Sequence, residues 1–245
     1  MGKKKDLAVK KPKSRISELI DFLFHPDMNI STNQSLKESL KDVLYYFVLS
    51  VLLVSIIGLV IFTVFSVQNS VISDLSAGKP LFRTFLIACL LLPVLEEAIF
   101  RLPLKYKPLN LAISIAVLYW GTVSYLILTH VNKDFGLHQM LCLLSAILIG
   151  LLIFYIARKN SENLSKFWAN NFKLIFYSSI VLFGLFHVQN LEIPAENIYF
   201  IPIIIVPWLI GGHITGFIRI KYGFFFGVVY HGLYNLFPVL LASTN

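Results

Sequence analysis

Three short segments hold side chains that apolar helices normally exclude. LEEAIFR sets Glu96, Glu97 and Arg101 in one hydrophobic run, SSIVLFGLFHVQN sets Phe183 and His187 in a second, and VVYHGLYNLF sets His231 and Asn235 in a third. A carboxylate or imidazole at membrane depth costs several kcal/mol unless it lines a polar cavity or finds a partner. Successive helical residues point about 100° apart, so Glu96 and Glu97 face different ways, and one can meet a cavity while the other pairs. Glu97 and Arg101 stand at i and i+4, where a carboxylate and a guanidinium meet on one face. That pairing leaves Glu96 unaccounted for. Phe183 and His187 are also one turn apart, as are His231 and Asn235. A lone buried histidine reads as a hydrogen-bonded packing residue, but a free glutamate, two histidines and an asparagine on three helices can close a single polar site.

The elements that must position these groups are membrane spans. Hydrophobic residues make up 57% of the chain and charged residues 14%, and the mean hydropathy is +0.75, which excludes an ordinary soluble domain. Apolar runs recur at Asp42–Ser66, Leu81–Leu104, Leu109–Val131, Leu137–Ala157, Phe172–Asn190, Ile198–Ile220 and Gly223–Ser243, each about the 20 residues needed to cross hydrocarbon. Their uniform apolarity rules out barrel strands, and an open sheet edge has no partner in lipid, so the expected fold is an all-α polytopic bundle of about seven spans. Lysine and arginine fall on alternate sides: nine lie between Lys3 and Lys41, and more lie around Arg101–Lys107, Arg158–Lys173 and Arg219–Lys221, against Lys79, Arg83 and Lys133 opposite. The positive-inside rule then predicts a cytoplasmic amino terminus and an outer carboxyl terminus, in the plasma membrane.

Residues 1–41 form a basic tail that ends in an amphipathic stretch, Ile16 to Phe24, suited to an anionic lipid surface. No folded nucleic-acid module accompanies it, so membrane lipid is the expected partner and nucleic acid is not. Residues 42–245 form the membrane domain. Cys89 and Cys142 sit in apolar runs as small packing residues, with no structural disulfide expected. His25 and His138 fall near interfaces, and His213 falls in a glycine-rich helix where one hydrogen bond suffices.

EEAIFR has the form EExxxR, FGLFH the form FxxxH and HGLYN the form HxxxN. In this order, within a multispan chain, they resemble the CAAX-processing and bacteriocin-processing (CPBP, or Abi) membrane endopeptidases. The resemblance runs from about Pro93 to Phe237 and includes LIGGHITGFIRIKYGFFFGVVYH, which looks like that family's penultimate helix and turn. It implies hydrolysis of a membrane-associated peptide or protein. Glu96 would take a proton from water, His187 and His231 would hold that water and the developing oxyanion, and Asn235 would support the oxyanion. Glu97, Arg101 and Phe183 would lend structural support. The family has also been described as metal-dependent, in which case Glu96, His187 and His231 would be the zinc ligands. No HExxH pair stands on one helix, so the metal-free glutamate mechanism is preferred.

One departure stands out: His187 follows Glu96 by 91 residues, farther than the family's usual spacing. An inserted helix pair at about 109–157 accounts for it and preserves inside-outside parity downstream. His130, in YLILTHV, is nearer the usual distance but lacks the phenylalanine, which makes it the alternative to His187. Helices starting level at their apparent boundaries would leave Glu96 and His187 about 10 Å apart in height. Besides proteolysis, a non-catalytic peptide-binding or self-immunity protein keeps the same residues. A transporter fits less well, since neither repeats nor paired broken helices are visible.

Overall fold

A computed structural model of the chain describes residues 14–30, 32–69, 80–130 and 135–242, with backbone alone at 69, 127–130, 135 and 241–242. The tail before Ser14 therefore lies outside the described residues.

The chain is an all-α polytopic bundle. Backbone groups cannot be left unpaired in hydrocarbon, and helices satisfy them within one segment. Five described stretches are long and apolar enough to cross a membrane: Leu36–Val64, Pro108–Leu126, Gly136–Lys159, Phe172–Asn190 and Ala195–Lys221. A shorter apolar helix covers Phe224–Leu240.

Helix α1 (Arg15–Phe24) starts at Ser14, whose hydroxyl accepts from the Ser17 N–H. Helix α2 (Leu36–Val64) starts in a reciprocal cap, in which the Ser35 hydroxyl and the Glu38 carboxylate each accept from the other's backbone N–H. This cap sets the first span to begin six residues before Asp42. The two-residue strands β1 (Gln68–Asn69) and β2 (Leu191–Glu192) pair antiparallel, tying the far end of α2 to the segment that follows His187.

Helix α3 covers 81–100 in three parts: α-helical Leu81–Phe85, π-helical Leu86–Leu91 and α-helical Leu92–Phe100. Helices α4 (Pro108–His130) and α5 (Phe135–Lys159) form a hairpin, with α4 against the second half of α3 and α5 chiefly against α4. The short helix α6 (Ser161–Asn170) leads into α7 (Phe172–Phe186). After a 3-10 turn and β2, helices α8 (Val206–Lys221) and α9 (Phe224–Ala242) complete the bundle. The α8–α9 turn is made by Gly223 at φ 110°, a conformation that side chains with a Cβ avoid.

Helix α8 is the centre. Every residue from Ile214 to Ile220 is buried, because α2, α7 and α9 cover it from three directions and α1 closes one end. Around it Phe22, Tyr46, Phe176 and Phe217 meet edge to face at centroid separations of 5.1–5.3 Å, a geometry that aromatic quadrupoles favour.

Helix α1 is docked on the bundle through the buried Leu19 and Phe22. Arg15 Nε lies 2.6 Å from Asp42 Oδ1, Lys221 Nζ lies 2.5 Å from Glu18 Oε2, and the Tyr177 hydroxyl donates to the Leu23 carbonyl. Tyr222 donates to Asp42 at 2.8 Å, and burial together with that bond pushes its hydroxyl pKa up. Ile16, Ile20 and Phe24 of the same helix remain exposed.

Candidate active site

The site forms where α3, α7 and α9 converge. Glu96 Oε2 lies 3.6 Å from His187 Nε2 and 3.6 Å from His231 Nε2. All three side chains are at least mostly buried, and together with Asn235 they line a cavity of about 770 Å³ whose remaining walls come from α2, α4 and α8.

The height separation expected between Glu96 and His187 does not occur. The assumption of level helix ends was at fault. Helix α3 stops at Phe100 rather than Leu104, because Pro103 has no N–H to give Ile99 and its ring would collide with the Ile99 carbonyl. That stop lies midway along α7, not level with its start: Ser179 Oγ donates to the Phe100 carbonyl, and the Phe100 and Phe183 rings touch at 5.6 Å. Phe172 therefore begins about 10 Å below the end of α3, seven residues at 1.5 Å each, and the antiparallel helices bring residue 96 level with residue 183, one turn before His187, whose side chain reaches Glu96.

A helix that ends inside the protein strands its last carbonyls. Here side chains from other helices take them up. Ser114 donates to the Ile99 carbonyl at 2.7 Å, Ser179 to Phe100 at 2.5 Å, and Arg219 Nε to Arg101 at 3.1 Å, while Trp168 donates to Pro103 at 2.8 Å. These bonds fix the last turn, and with it Glu96 and Glu97.

The hydrogen bonds place a proton on Nδ1 of both histidines. His187 Nδ1 lies 2.8 Å from the Phe183 carbonyl, which only accepts, so Nδ1 carries the proton. In the neutral ring Nε2 then presents its lone pair towards Glu96. His231 Nδ1 lies 2.9 Å from Glu97 Oε1 and donates to it, which leaves its Nε2 facing Glu96 as well.

Glu97 thus has a partner that spacing did not reveal. Arg101, expected to pair with it, lies 3.8 Å away through Nε, an ion pair too long for a hydrogen bond, whereas His231 makes the close contact. The Arg101 guanidinium is fully buried and stacks 3.7 Å above the Phe183 ring. Phe183 therefore supports three groups: its carbonyl holds His187, its face holds Arg101, and its edge meets the His231 ring. Asn235 lines the cavity and gives one amide N–H to the Ala88 carbonyl at 2.9 Å.

His213 donates Nδ1 to the Leu209 carbonyl at 2.7 Å and packs on Phe176 and Tyr177. His130, the alternative to His187, ends α4, and its side chain lies outside the described residues. Among the described residues, no group of three or more His, Cys, Asp or Glu side chains is arranged to hold a metal ion.

Comparison with protein-family models, with curated proteins and with solved structures finds no match to the chain. What the fold and site define is a multispan membrane protein with a buried glutamate–histidine cluster at the wall of an internal cavity.

Proposed function

We propose that the chain is an intramembrane endopeptidase that hydrolyses a peptide bond of a membrane-associated peptide or protein, with Glu96 as the base. One observation carries the reading: a carboxylate oxygen faces two imidazole nitrogens whose other nitrogens are already committed, at a cavity wall. The resemblance of EEAIFR, FGLFH and HGLYN to the CPBP endopeptidases points the same way.

In this mechanism a water sits between Glu96 Oε2 and His187 Nε2. The lone pair of Nε2 accepts one of its hydrogens, and Glu96 removes the other proton as the oxygen attacks the carbonyl carbon. The resulting oxyanion needs donors. His231 with hydrogen on both ring nitrogens supplies one from Nε2 while Nδ1 donates to Glu97. The second amide N–H of Asn235 supplies another. As the C–N bond breaks, Glu96 passes its proton to the leaving amine, which releases a new carboxylate and a new amine and restores the starting carboxylate.

The same reading places helices α3 and α9 among seven spans, with the α4–α5 hairpin inserted between the glutamates and His187. The basic tail and the exposed edge of α1 then lie on the cytoplasmic leaflet of the plasma membrane. The test is cleavage of a fluorogenic peptide library, lipidated and unlipidated, by the detergent-purified protein. Cleavage that His187→Ala and His231→Ala abolish, and that a zinc chelator leaves intact, supports the reading. Activity that survives His187→Ala moves the role to His130, loss with chelator restores zinc, and no cleavage across both libraries favours a peptide-binding protein.

A further inference from the structure

The rotation of helix α3 decides which of its two glutamates meets the cavity, and that rotation is not the one a regular helix would give. Between Leu86 and Leu91 the helix makes a π turn, with the Leu92 N–H reaching back five residues to the Ile87 carbonyl. A π turn holds one residue more than an α turn, so everything after it is rotated by about 100° relative to everything before it. Glu96 lies four residues beyond Leu92.

The cause of the turn is in the sequence. Pro93 has no N–H, and its ring would strike the carbonyl four residues earlier, that of Cys89, in a regular helix. In the π register the missing N–H is the one that would reach the Ala88 carbonyl. That carbonyl is buried, so it needs another donor. Asn235 Nδ2 provides it at 2.9 Å. One turn earlier on α9, Gly232 packs so close to the Cys89 carbonyl that a Cβ there would collide with it. Both residues belong to HGLYN, the segment that also carries His231. The helix bearing one histidine thus grips the irregular turn that aims the glutamate.

We infer that Gly232 and Asn235 hold the π turn Leu86–Leu91 and through it set the rotation of Glu96, which makes Asn235 a positioning residue as well as a neighbour of the oxyanion. The inference rests on the proposed hydrolase reading for its effect on turnover, but not for its effect on helix rotation. Pro93→Ala restores the N–H and removes the clash, so in that background the α register is open and Gly232 and Asn235 are what hold the turn, with Glu96 and both histidines untouched.

The experiment pairs turnover with nitroxide labels placed in turn at two lipid-exposed positions, Phe82→Cys before the turn and Val94→Cys after it. In Pro93→Ala with Asn235→Ala the turn relaxes to α-helix with no residue removed, so one half of the helix turns by about 100° against the other, one label loses its exposure to lipid-dissolved oxygen, and kcat falls about 100-fold with KM little changed. Should that chain not fold, Pro93→Ala with Gly232→Ala, which drives a Cβ into the Cys89 carbonyl and leaves Asn235 in place, gives the milder form with the same labels, a loss of label exposure with kcat down about tenfold. Labels that stay exposed, or labels that move while kcat is kept, overturn the inference. If wild type and Glu96→Gln are equally inactive, the hydrolase reading fails, and the labels alone still decide whether Asn235 holds the turn.

Discussion

Helix α8 and the α4–α5 hairpin are of comparable hydropathy and opposite in use. The stretch that includes α8 has a hydropathy of 1.8 and half of it is buried in the protein, while α4 at 1.5 and α5 at 2.7 are each 17% buried. Composition suits all three to lipid, and what separates them is the size of their side chains. Helix α8 carries Gly212 against Arg101 and Gly216 against Phe176, so large neighbours approach its backbone and cover it. Helix α5 presents Leu137, Met140, Leu144, Leu148 and Leu151 outward, with little that another helix could interlock with. The buried charges follow the same division. Glu97, Arg101, Arg219 and both site histidines lie where α3, α7, α8 and α9 meet, and α5 contributes none of them. A buried charge requires fixed partners, and only the interlocked half of the molecule supplies them.

The comparison can be broken by mutation, and the largest effects belong to the interlocked half. His187→Ala and His231→Ala each remove a group facing Glu96, and turnover is expected to fall about 10³-fold, read by the initial rate of peptide cleavage. Glu97→Gln keeps the shape but removes the carboxylate that accepts from His231 Nδ1. A loss of about 10²-fold in kcat with KM nearly unchanged is expected, since the bond matters most when the oxyanion forms. Arg101→Ala takes the guanidinium from between Glu97 and Phe183 and leaves a buried carboxylate with His231 alone. Stability should drop by about 3–5 kcal/mol, seen as a lower unfolding midpoint in detergent.

Within the hairpin the effects should shrink. Gly150→Leu places side-chain atoms where Ala116 already sits, 3.1 Å from an added Cβ, and parting α4 from α5 should cost about 1–3 kcal/mol. Leu148→Ala, on a lipid-facing residue of α5, should stay within about 0.5 kcal/mol and leave turnover unchanged. A hairpin variant that cost as much as Arg101→Ala would show that the two regions do not differ as described.

Much of this was legible in the residues, and the gaps have physical causes. Five of the seven apolar runs fall on described helices long and apolar enough to cross a membrane, because lipid imposes a length and a composition on any segment that crosses it. The spacing of Glu96, His187, His231 and Asn235 announced one shared site. The bond between Glu97 and His231 was not legible: Arg101 stands at the favourable i+4 position, and only the packing of α9 against α3 shows that the imidazole comes closer. Pro103 marked the end of α3, yet the apolar residues on either side of it extended the expected span to Leu104. The serines that cap this end, Ser114 and Ser179, look like ordinary tolerated residues until the stranded carbonyls are known. The π turn is hidden in LIACLL, which reads as plain hydrocarbon, and Pro93 is its one trace in the sequence.

The most direct test of the account compares wild type with Glu96→Gln on a single cleaved peptide, in equal amounts of folded protein. The account predicts that wild type releases a free carboxylate and a free amine while Glu96→Gln still binds the peptide and cuts it at least about 10³-fold more slowly. Cleavage by Glu96→Gln at the wild-type rate would contradict it, because no other carboxylate among the described residues faces both histidine Nε2 atoms.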